Sequence, residues 1–406
     1  MLQAYEAGWD ETWISELSSQ GRSKQDSASE ITEVDMFPGE YVLHGSKISY
    51  FTAKVENILR YLQIPYEFVE KQPHVGTDLE TRAGTGAVPV LHTPDDWVLA
   101  DSTPIARLLD ARSRVGPILP TAPRQRAATL LLEDWMDEWL PRAAVYTRWN
   151  FPESVEAMPG GAISKMMLGK PFHALDESER AQIQPMLDAA LAQLAPFREM
   201  MTNEVLVIGN ANLELGDDIM GWFGALLDDM AVHLEGHAYL LGDRPCIADF
   251  VLSGSFAAHF ANDTWPREFI ARRQPVMLEW AERLWDAQAG EEDWLADDLV
   301  PGTLAPLFAE MGRLFAPYLR ANREALDKGE EDFAPDLGHG PRTFGVNRYR
   351  ELCRLDVRDE ILASDPELQA VRDAIPAEVL DVYLLPPLAD VPSMVGLRNN
   401  FPALKP

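Results

Sequence analysis

Short apolar runs and one amphipathic stretch alternate in the first part of the chain. Val55, Ile58, Leu59 and Leu62 recur at the three- and four-residue spacing that places side chains on one face of a helix. The predicted elements are, in chain order, a strand at 41–44, a helix at 52–63, strands at 66–69, 88–92 and 97–100, and a helix from 101 onward. This order predicts one small α/β domain over residues 40–118, and periodicity alone does not select among the folds of that class.

Beyond Pro117 the pattern becomes helical, and strand signals are scarce. Helices are predicted near 125–148, 177–201, 217–236, 246–261 and 275–288. A further helical stretch at 301–328 is broken by Pro306 and Pro317, because proline interrupts the hydrogen bonding of a helix. We therefore divide the chain into a polar N-terminal extension (1–39), the α/β domain (40–118), an all-helical domain (119–290) and a mostly helical C-terminal extension (291–406).

The net charge and the cysteine content limit the binding partners and the cellular compartment that we expect for the protein. The formal net charge of -30 repels phosphate backbones and anionic lipids, so we expect neither nucleic acid nor a membrane surface as a partner. No apolar run approaches the length of about 18 residues that a membrane-spanning helix needs. The N-terminus carries acids where a secretory signal carries bases, and the two cysteines, Cys246 and Cys353, lie far apart in the sequence. We predict a cytoplasmic protein without a disulfide framework.

The junction between the first strand and the first helix carries two candidate thiol activators, Ser49 and Tyr50, with Ser46 as a weaker third. A thiol of pKa about 8.5 is a poor nucleophile at neutral pH until its thiolate is stabilised. A hydroxyl donor at the N-terminus of a helix stabilises that anion through a hydrogen bond and the positive end of the helix dipole. Plain helix capping by Ser49 is the alternative interpretation of the same residue.

Two further features lie where strands begin and end. In the segment 86–91 (GAVPVL), a cis bond before Pro89 would turn the N–H and C=O of Val88 outward, where an extended peptide can pair with them. An ordinary turn before a buried strand is the alternative interpretation. Asp101 and Ser102 open the next helix, where a serine can offer its hydroxyl and N–H to a carboxylate and an aspartate can accept a hydrogen bond from an amino group. Plain capping shares that geometry.

These features occur in the order and spacing of glutathione transferases, and residues 41–261 resemble that superfamily. In Ser- and Cys-type members the activating residue stands five positions before a Lys/Arg-Val pair, as Ser49 stands before Lys54. The segment 242–250 (GDRPCIADF) resembles the helix-capping box of the family, with cysteine where a hydroxyl residue is usual. Tyr50 stands where proline is common in the family, which makes it a rival activator.

The resemblance implies a thioredoxin-like domain followed by an all-helical bundle domain, with glutathione as cosubstrate and no metal. It also implies that the peptide bond before Pro89 is cis and that glutathione pairs with the main chain of Val88. Asp101 and Ser102 would then hold the γ-glutamyl end, and the sulfur would face the start of the first helix.

In the family, the first long helix of the helical domain lines the electrophile pocket, which implies that Tyr146 and Trp149 contact the second substrate. A role in the core is the alternative for such aromatic residues. The implied function is a homodimeric glutathione-dependent transferase acting on a small hydrophobic electrophile by conjugation, dehalogenation, ether cleavage or isomerisation. A non-catalytic binding or scaffold protein of the same fold is the alternative. His233 and His237 have metal-compatible spacing without an evident third ligand, so we predict no metal site.

Overall fold

The computed structural model of the protein describes residues 39–71, 76–113, 115–202, 216–338 and 340–389. The predicted polar N-terminal extension, apart from its last residue, lies outside the described residues, as does the end of the C-terminal extension. None of the described helices combines the length and the apolar character needed to cross a bilayer.

The first domain is built around a four-stranded sheet. Its elements are β1 (Tyr41–Gly45), α1 (Tyr50–Tyr61), β2 (Tyr66–Glu70), α2 (Asp78–Ala83), β3 (Val90–His92), β4 (Val98–Ala100) and α3 (Ser102–Arg112). The strand order is β2-β1-β3-β4, with β1 and β2 parallel and the other neighbouring pairs antiparallel. This is the thioredoxin-like arrangement that the sequence predicted. The apolar face of α1 is buried as expected, because Val55, Ile58 and Leu59 have no solvent exposure.

The second domain is helical. Its helices are α4 (Pro123–Glu138), α5 (Pro141–Trp149), α6 (Pro152–Leu168), α7 (Glu177–Thr202), α8 (Gly216–His233), α9 (Ile247–Ser255), α10 (Thr264–Arg273) and α11 (Val276–Asp286). The single helix predicted over 125–148 is in fact two, because Pro141 lacks the N–H that would continue α4 and instead begins α5. A wide π-turn at Phe256–Phe260 extends α9 toward the predicted end of that helix.

The described part of the C-terminal extension packs against the first two domains. It contains α12 (Ala305–Glu310), α13 (Ala316–Lys328), the two-stranded β5 (Asp332–Phe333) and β6 (Phe344–Gly345), and α14 (Arg348–Ser364), α15 (Gln369–Ala374) and α16 (Ala377–Tyr383). Pro306 stands in the first turn of α12 and Pro317 in that of α13. The predicted break at Pro317 is wrong, because a π-turn at Met311–Phe315 joins the two helices without an interruption. Phe315 and Tyr383 belong to the same hydrophobic cluster as Leu43 of β1. The extension therefore shares one core with the sheet.

Candidate functional site

The register of the sheet gathers the predicted site residues at one end of its strands, where β1 and β4 end and β3 begins. We call this end of the sheet the edge. Val90 pairs with His44 of β1 on one side and with Ala100 of β4 on the other. One residue earlier in β3, the same register sets Pro89 between the end of β1 and Asp101. Neighbouring strands lie about 4.8 Å apart, so groups from these three segments lie within roughly 10 Å of one another. An extended tripeptide covers about that distance.

Val88 presents unpaired main-chain groups at this edge. The peptide bond between Val88 and Pro89 is cis, as the resemblance implied. Pro89 is buried, whereas Val88 is partly exposed. In the described part of the chain, no protein group hydrogen-bonds to the N–H or the C=O of Val88. Both groups are thus available to the backbone of a bound peptide.

The two candidate activators lie in different environments. Ser49 is the N-cap of α1 and is partly exposed, and its Oγ accepts a hydrogen bond from the N–H of Thr52 at 3.3 Å. Tyr50 is buried, and its hydroxyl donates to the carbonyl oxygen of Met136 at 2.9 Å. Burial, together with the nearby Asp137 carboxylate, raises the pKa of Tyr50 well above its usual value. The hydroxyl of Tyr50 therefore points into the protein, and that of Ser49 stays near solvent.

Asp101 and Ser102 open α3 as predicted. Asp101 is the N-cap, with a φ of +75° that non-glycine residues rarely adopt, and its Oδ1 accepts from the N–H of Thr103 at 3.2 Å. Ser102 is the first residue of the helix and is buried. The other carboxylate oxygen of Asp101 accepts a hydrogen bond from the hydroxyl of Tyr349, near the start of α14. The C-terminal extension thus reaches the predicted γ-glutamyl position, a contact that the sequence did not suggest.

A buried ion network lies next to the start of α3 and contacts Thr103 in its first turn. Lys54 has no solvent exposure, and its Nζ donates to Glu133 at 2.8 Å, to Asp137, and to the hydroxyl of Thr103 at 3.2 Å. Thr103 in turn donates to Glu133 at 2.9 Å. Burial raises the pKa of Asp137 to about 6 against the opposing effect of Lys54. The acidic run at 133–138 on a predicted apolar helix was the signal in the sequence for a buried cation partner.

Tyr146 and Trp149 lie in the core of the helical domain. Both are buried, and their rings lie 5.5 Å and 5.4 Å from those of Phe151 and Phe197. A cleft that does not include Tyr146 or Trp149 lies between α1 and α11 and has a volume of about 340 Å³. The cleft is lined by Ser46, Lys47, Ala53, Glu56, Ala257, Ala261, Ala281, Glu282, Trp285 and Asp286. Ser46 and Lys47 belong to the loop that carries Ser49, and the lining combines four alanines with four charged side chains.

Arg148 fixes the loop that precedes α1. It is buried, and its guanidinium contacts both carboxylate oxygens of Asp263, at 2.8 and 3.1 Å. The same group donates to the carbonyl oxygen of Ile48 at 2.8 Å. A bidentate ion pair holds the guanidinium in one orientation, and the loop residue directly before Ser49 is held with it. The guanidinium of Arg148 is therefore engaged by protein groups.

The described residues contain no group of three or more histidine, cysteine, aspartate or glutamate side chains arranged to hold a metal ion. His233 and His237 stack at a ring distance of 4.8 Å. The Nδ1 of His233 lies 2.7 Å from the hydroxyl of Thr303, and its Nε2 lies 3.1 Å from the carbonyl oxygen of Tyr239. Both ring nitrogens of His233 are therefore engaged by protein groups.

Comparison with known proteins agrees with this architecture. Residues 43–117 match the family model described as glutathione S-transferase, N-terminal domain. No curated protein matches the chain. Similar solved structures include the beta-etherase LigF from Sphingobium sp. strain SYK-6, which is 19% identical with a TM-score of 0.41, over 60% of this chain and 94% of that one.

Two further solved structures are similar. A Tau class glutathione S-transferase from mango, Mangifera indica L., is 18% identical with a TM-score of 0.36, over 67% of this chain and 97% of that one. A glutathione S-transferase from Methylobacterium radiotolerans, in complex with glutathione sulfonate, is 16% identical with a TM-score of 0.34, over 64% of this chain and 100% of that one. Because likeness at this level carries no argument about function, the assignment rests on the N-terminal match and on the sheet. Residues 43–117 are thereby assigned to the N-terminal domain of the glutathione S-transferases.

Proposed function

We propose that the protein is a glutathione-dependent transferase that activates the glutathione thiol for attack on a small hydrophobic electrophile. The observation that carries this proposal is the pair of unengaged main-chain groups of Val88, which lie between the starts of α1 and α3. An extended peptide that pairs with Val88 has a helix N-terminus at each end, and both ends favour negative charge. A γ-glutamyl carboxylate fits one end, and a thiolate fits the other.

Ser49 is the activator that the geometry favours. Its oxygen accepts from the main chain of α1, which uses a lone pair and leaves the hydroxyl hydrogen free to donate outward. A hydrogen bond to a charged acceptor contributes about 1.5–3 kcal/mol, and each pKa unit corresponds to about 1.4 kcal/mol. Ser49 is therefore expected to lower the pKa of the bound thiol by one to two units.

Two substitutions at Ser49 separate activation from capping. Ser49→Ala removes both the donor and the N-cap, which costs about 1 kcal/mol of stability. Ser49→Asp keeps a cap acceptor but cannot donate to a thiolate, and its charge repels one. We expect both variants to raise the thiol pKa of bound glutathione in an ultraviolet thiolate titration, and only the alanine variant to lose stability.

Tyr50→Phe is the matched control, because it removes a hydroxyl one residue away. Loss of its hydrogen bond to Met136 should cost about 1 kcal/mol of stability and leave the thiol pKa unchanged. A thiol pKa that rises in the Tyr50 variant and stays constant in both Ser49 variants would reverse the assignment. Failure of the wild-type protein to bind glutathione in calorimetry would refute the function itself.

A non-catalytic binding or scaffold protein is the second candidate. The observation that favours it is the contact between Tyr349 and Asp101, which places the protein's own side chain on the acid expected to hold the ligand's amino group. Glutathione bound with an unshifted thiol pKa supports this candidate, and a depressed thiol pKa supports the transferase.

We also propose, from the resemblance, that the protein works as a homodimer in the cytoplasm. Sedimentation velocity of the full chain tests the first statement, because a monomer mass at micromolar concentration contradicts it. Fractionation of the source cells tests the second.

A further inference from the structure

We propose that Tyr349, supplied by the C-terminal extension, sets which thiol peptides the candidate site accepts. Its hydroxyl occupies the position on Asp101 that the α-ammonium group of a ligand would otherwise take. The protein is therefore expected to accept γ-acyl thiol peptides without regard to their amino group. This inference rests on the function proposed above and assigns the extension a role in it.

The carboxylate of Asp101 already has a donor on each oxygen. Oδ1 accepts from the N–H of Thr103 at 3.2 Å, and Oδ2 accepts from the hydroxyl of Tyr349. Within the described ranges of the chain, no lysine or arginine forms an ion pair with Asp101. A phenol hydroxyl supplies a hydrogen bond without a charge, so the position has the geometry for an ammonium but is filled by a neutral donor.

The start of α14, where Tyr349 lies, is fixed by the rest of the extension. Asn347 is the N-cap of α14, and its main chain forms two hydrogen bonds with the side chain of Asn322 on α13, at 2.9 and 2.7 Å. Arg350, the residue after Tyr349, forms a buried ion pair with Glu138 on α4. Contacts on both sides of Tyr349 thus hold it in place.

The body of α14 is fixed to the first domain as well. Arg107 on α3 contacts Asp356 at 3.2 Å and Glu360 at 3.3 Å. Arg354 has no solvent exposure, pairs with Glu351 at 2.6 Å, and donates to main-chain oxygens at the end of α16. The ion pairs of Arg107 hold α14, which carries Tyr349, against α3, which begins directly after Asp101. These contacts fix the position of Tyr349 beside Asp101.

A ligand that brings an ammonium group must compete with this hydroxyl. In the wild-type protein the amino group gains little, so glutathione and its analogue that lacks the amino group (N-glutaryl-cysteinylglycine) should bind within about threefold of each other. In Tyr349→Phe, Asp101 loses its neutral donor and can pair with the ammonium. A charge-assisted hydrogen bond then favours glutathione over the analogue by about tenfold or more.

Calorimetric titration of the full-length protein with both peptides tests the proposal, in the wild type and in Tyr349→Phe. Tyr383→Phe is the matched control, because it removes a hydroxyl that the same extension donates to another buried carboxylate, Asp134. The control should keep the wild-type ratio of affinities. Circular dichroism and thermal unfolding verify that both variants fold.

The possible outcomes separate this inference from the proposed function. A ratio that moves toward glutathione only in Tyr349→Phe supports the inference. A wild type that already prefers glutathione tenfold, with the preference lost in Tyr349→Phe, overturns it and makes Tyr349 a residue that orients Asp101. Binding of neither peptide by any of the three proteins overturns both proposals, whereas tight binding with equal ratios throughout leaves the function standing and overturns this inference alone.

Discussion

Replacing Lys54 with methionine tests whether the buried ion network holds the two domains together. Lys54 lies on α1, and its partners Glu133 and Asp137 lie on α4, so the network joins the sheet domain to the helical domain. Methionine has nearly the length and shape of lysine without the ammonium group. The substitution therefore removes the charge and leaves two buried carboxylates without their cation.

The expected cost is large. Removing one partner of a buried ion pair typically destabilises a protein by about 3–5 kcal/mol, because the remaining charge is left desolvated. Whole domains are stable by only about 5–15 kcal/mol, so Lys54→Met should remove a substantial part of the free energy of unfolding. An exposed pair gives a contrast: Arg272 lies 3.4 Å from Glu268 and both side chains are more than half exposed, so Arg272→Met should cost at most about 1 kcal/mol.

The loss should depend on pH. A carboxyl group whose pKa is higher in the folded protein than in the unfolded chain binds extra protons on folding, so stability falls as pH rises through the interval between those values. For Asp137 that interval runs from the unfolded value to about 6 in the wild type. Without Lys54, which lowers the pKa of Asp137, the interval extends upward. The difference between wild type and variant should therefore be larger at pH 8 than at pH 5.

Urea unfolding followed by tryptophan fluorescence at both pH values measures this difference. The chain has eleven tryptophans, among them the buried Trp135 on α4 between the two carboxylates in sequence, so the emission follows unfolding of the chain as a whole. A loss below about 1 kcal/mol at pH 8, or an equal loss at both pH values, would refute the account of the network as a buried, charge-balanced link between the domains.

Two further substitutions test single contacts. Burial raises the pKa of Asp134, which accepts a hydrogen bond from Tyr383, to about 7. Asp134→Asn should therefore gain stability relative to the wild type as pH rises from 5 to 7, by on the order of 1 kcal/mol per pH unit in urea titrations. A difference in stability that does not change with pH would contradict this. At Gly254 a Cβ would lie 2.5 Å from the main-chain nitrogen of Lys54, so Gly254→Ala should cost about 1–3 kcal/mol of stability in thermal unfolding by separating α9 from α1. Gly221→Ala is the control, because a Cβ there meets open space, and it should be neutral or stabilising.

The sequence predicted the elements whose signals are local. The face of α1 was evident from Val55, Ile58 and Leu59, and α3 from the capping residues at its start. It missed α6, because Pro159 lies within that helix and two glycines follow it, a composition that lowers helix propensity. Packing overrides that preference, since Gly160 lies directly against the ring of Phe172, where a Cβ would come within 2.6 Å.

In the candidate site, too, the sequence predicted the residues with local signals and missed a contact between distant parts of the chain. The order of motifs was enough to predict that Val88, Asp101 and Ser49 lie at one edge, because each residue ends or begins an element of a single sheet domain. The contact between Tyr349 and Asp101 joins residues 248 positions apart and involves a helix whose apolar pattern carries no information about its partner.

Long-range partners of this kind depend on which charged groups meet when the extension docks. α14 presents an arginine to Glu138 on α4 and two acids to Arg107 on α3, and either side of these pairs would be costly to bury alone. The ion pairs therefore select one docked position for α14 among the positions that its apolar surface would allow. In that position the residue before the arginine, Tyr349, meets Asp101. The chemistry at the amino end of the edge is thus fixed by ion pairs that α14 forms with α3 and α4. Because α14 lies beyond residues 41–261, to which the family resemblance is confined, the resemblance alone did not reveal it.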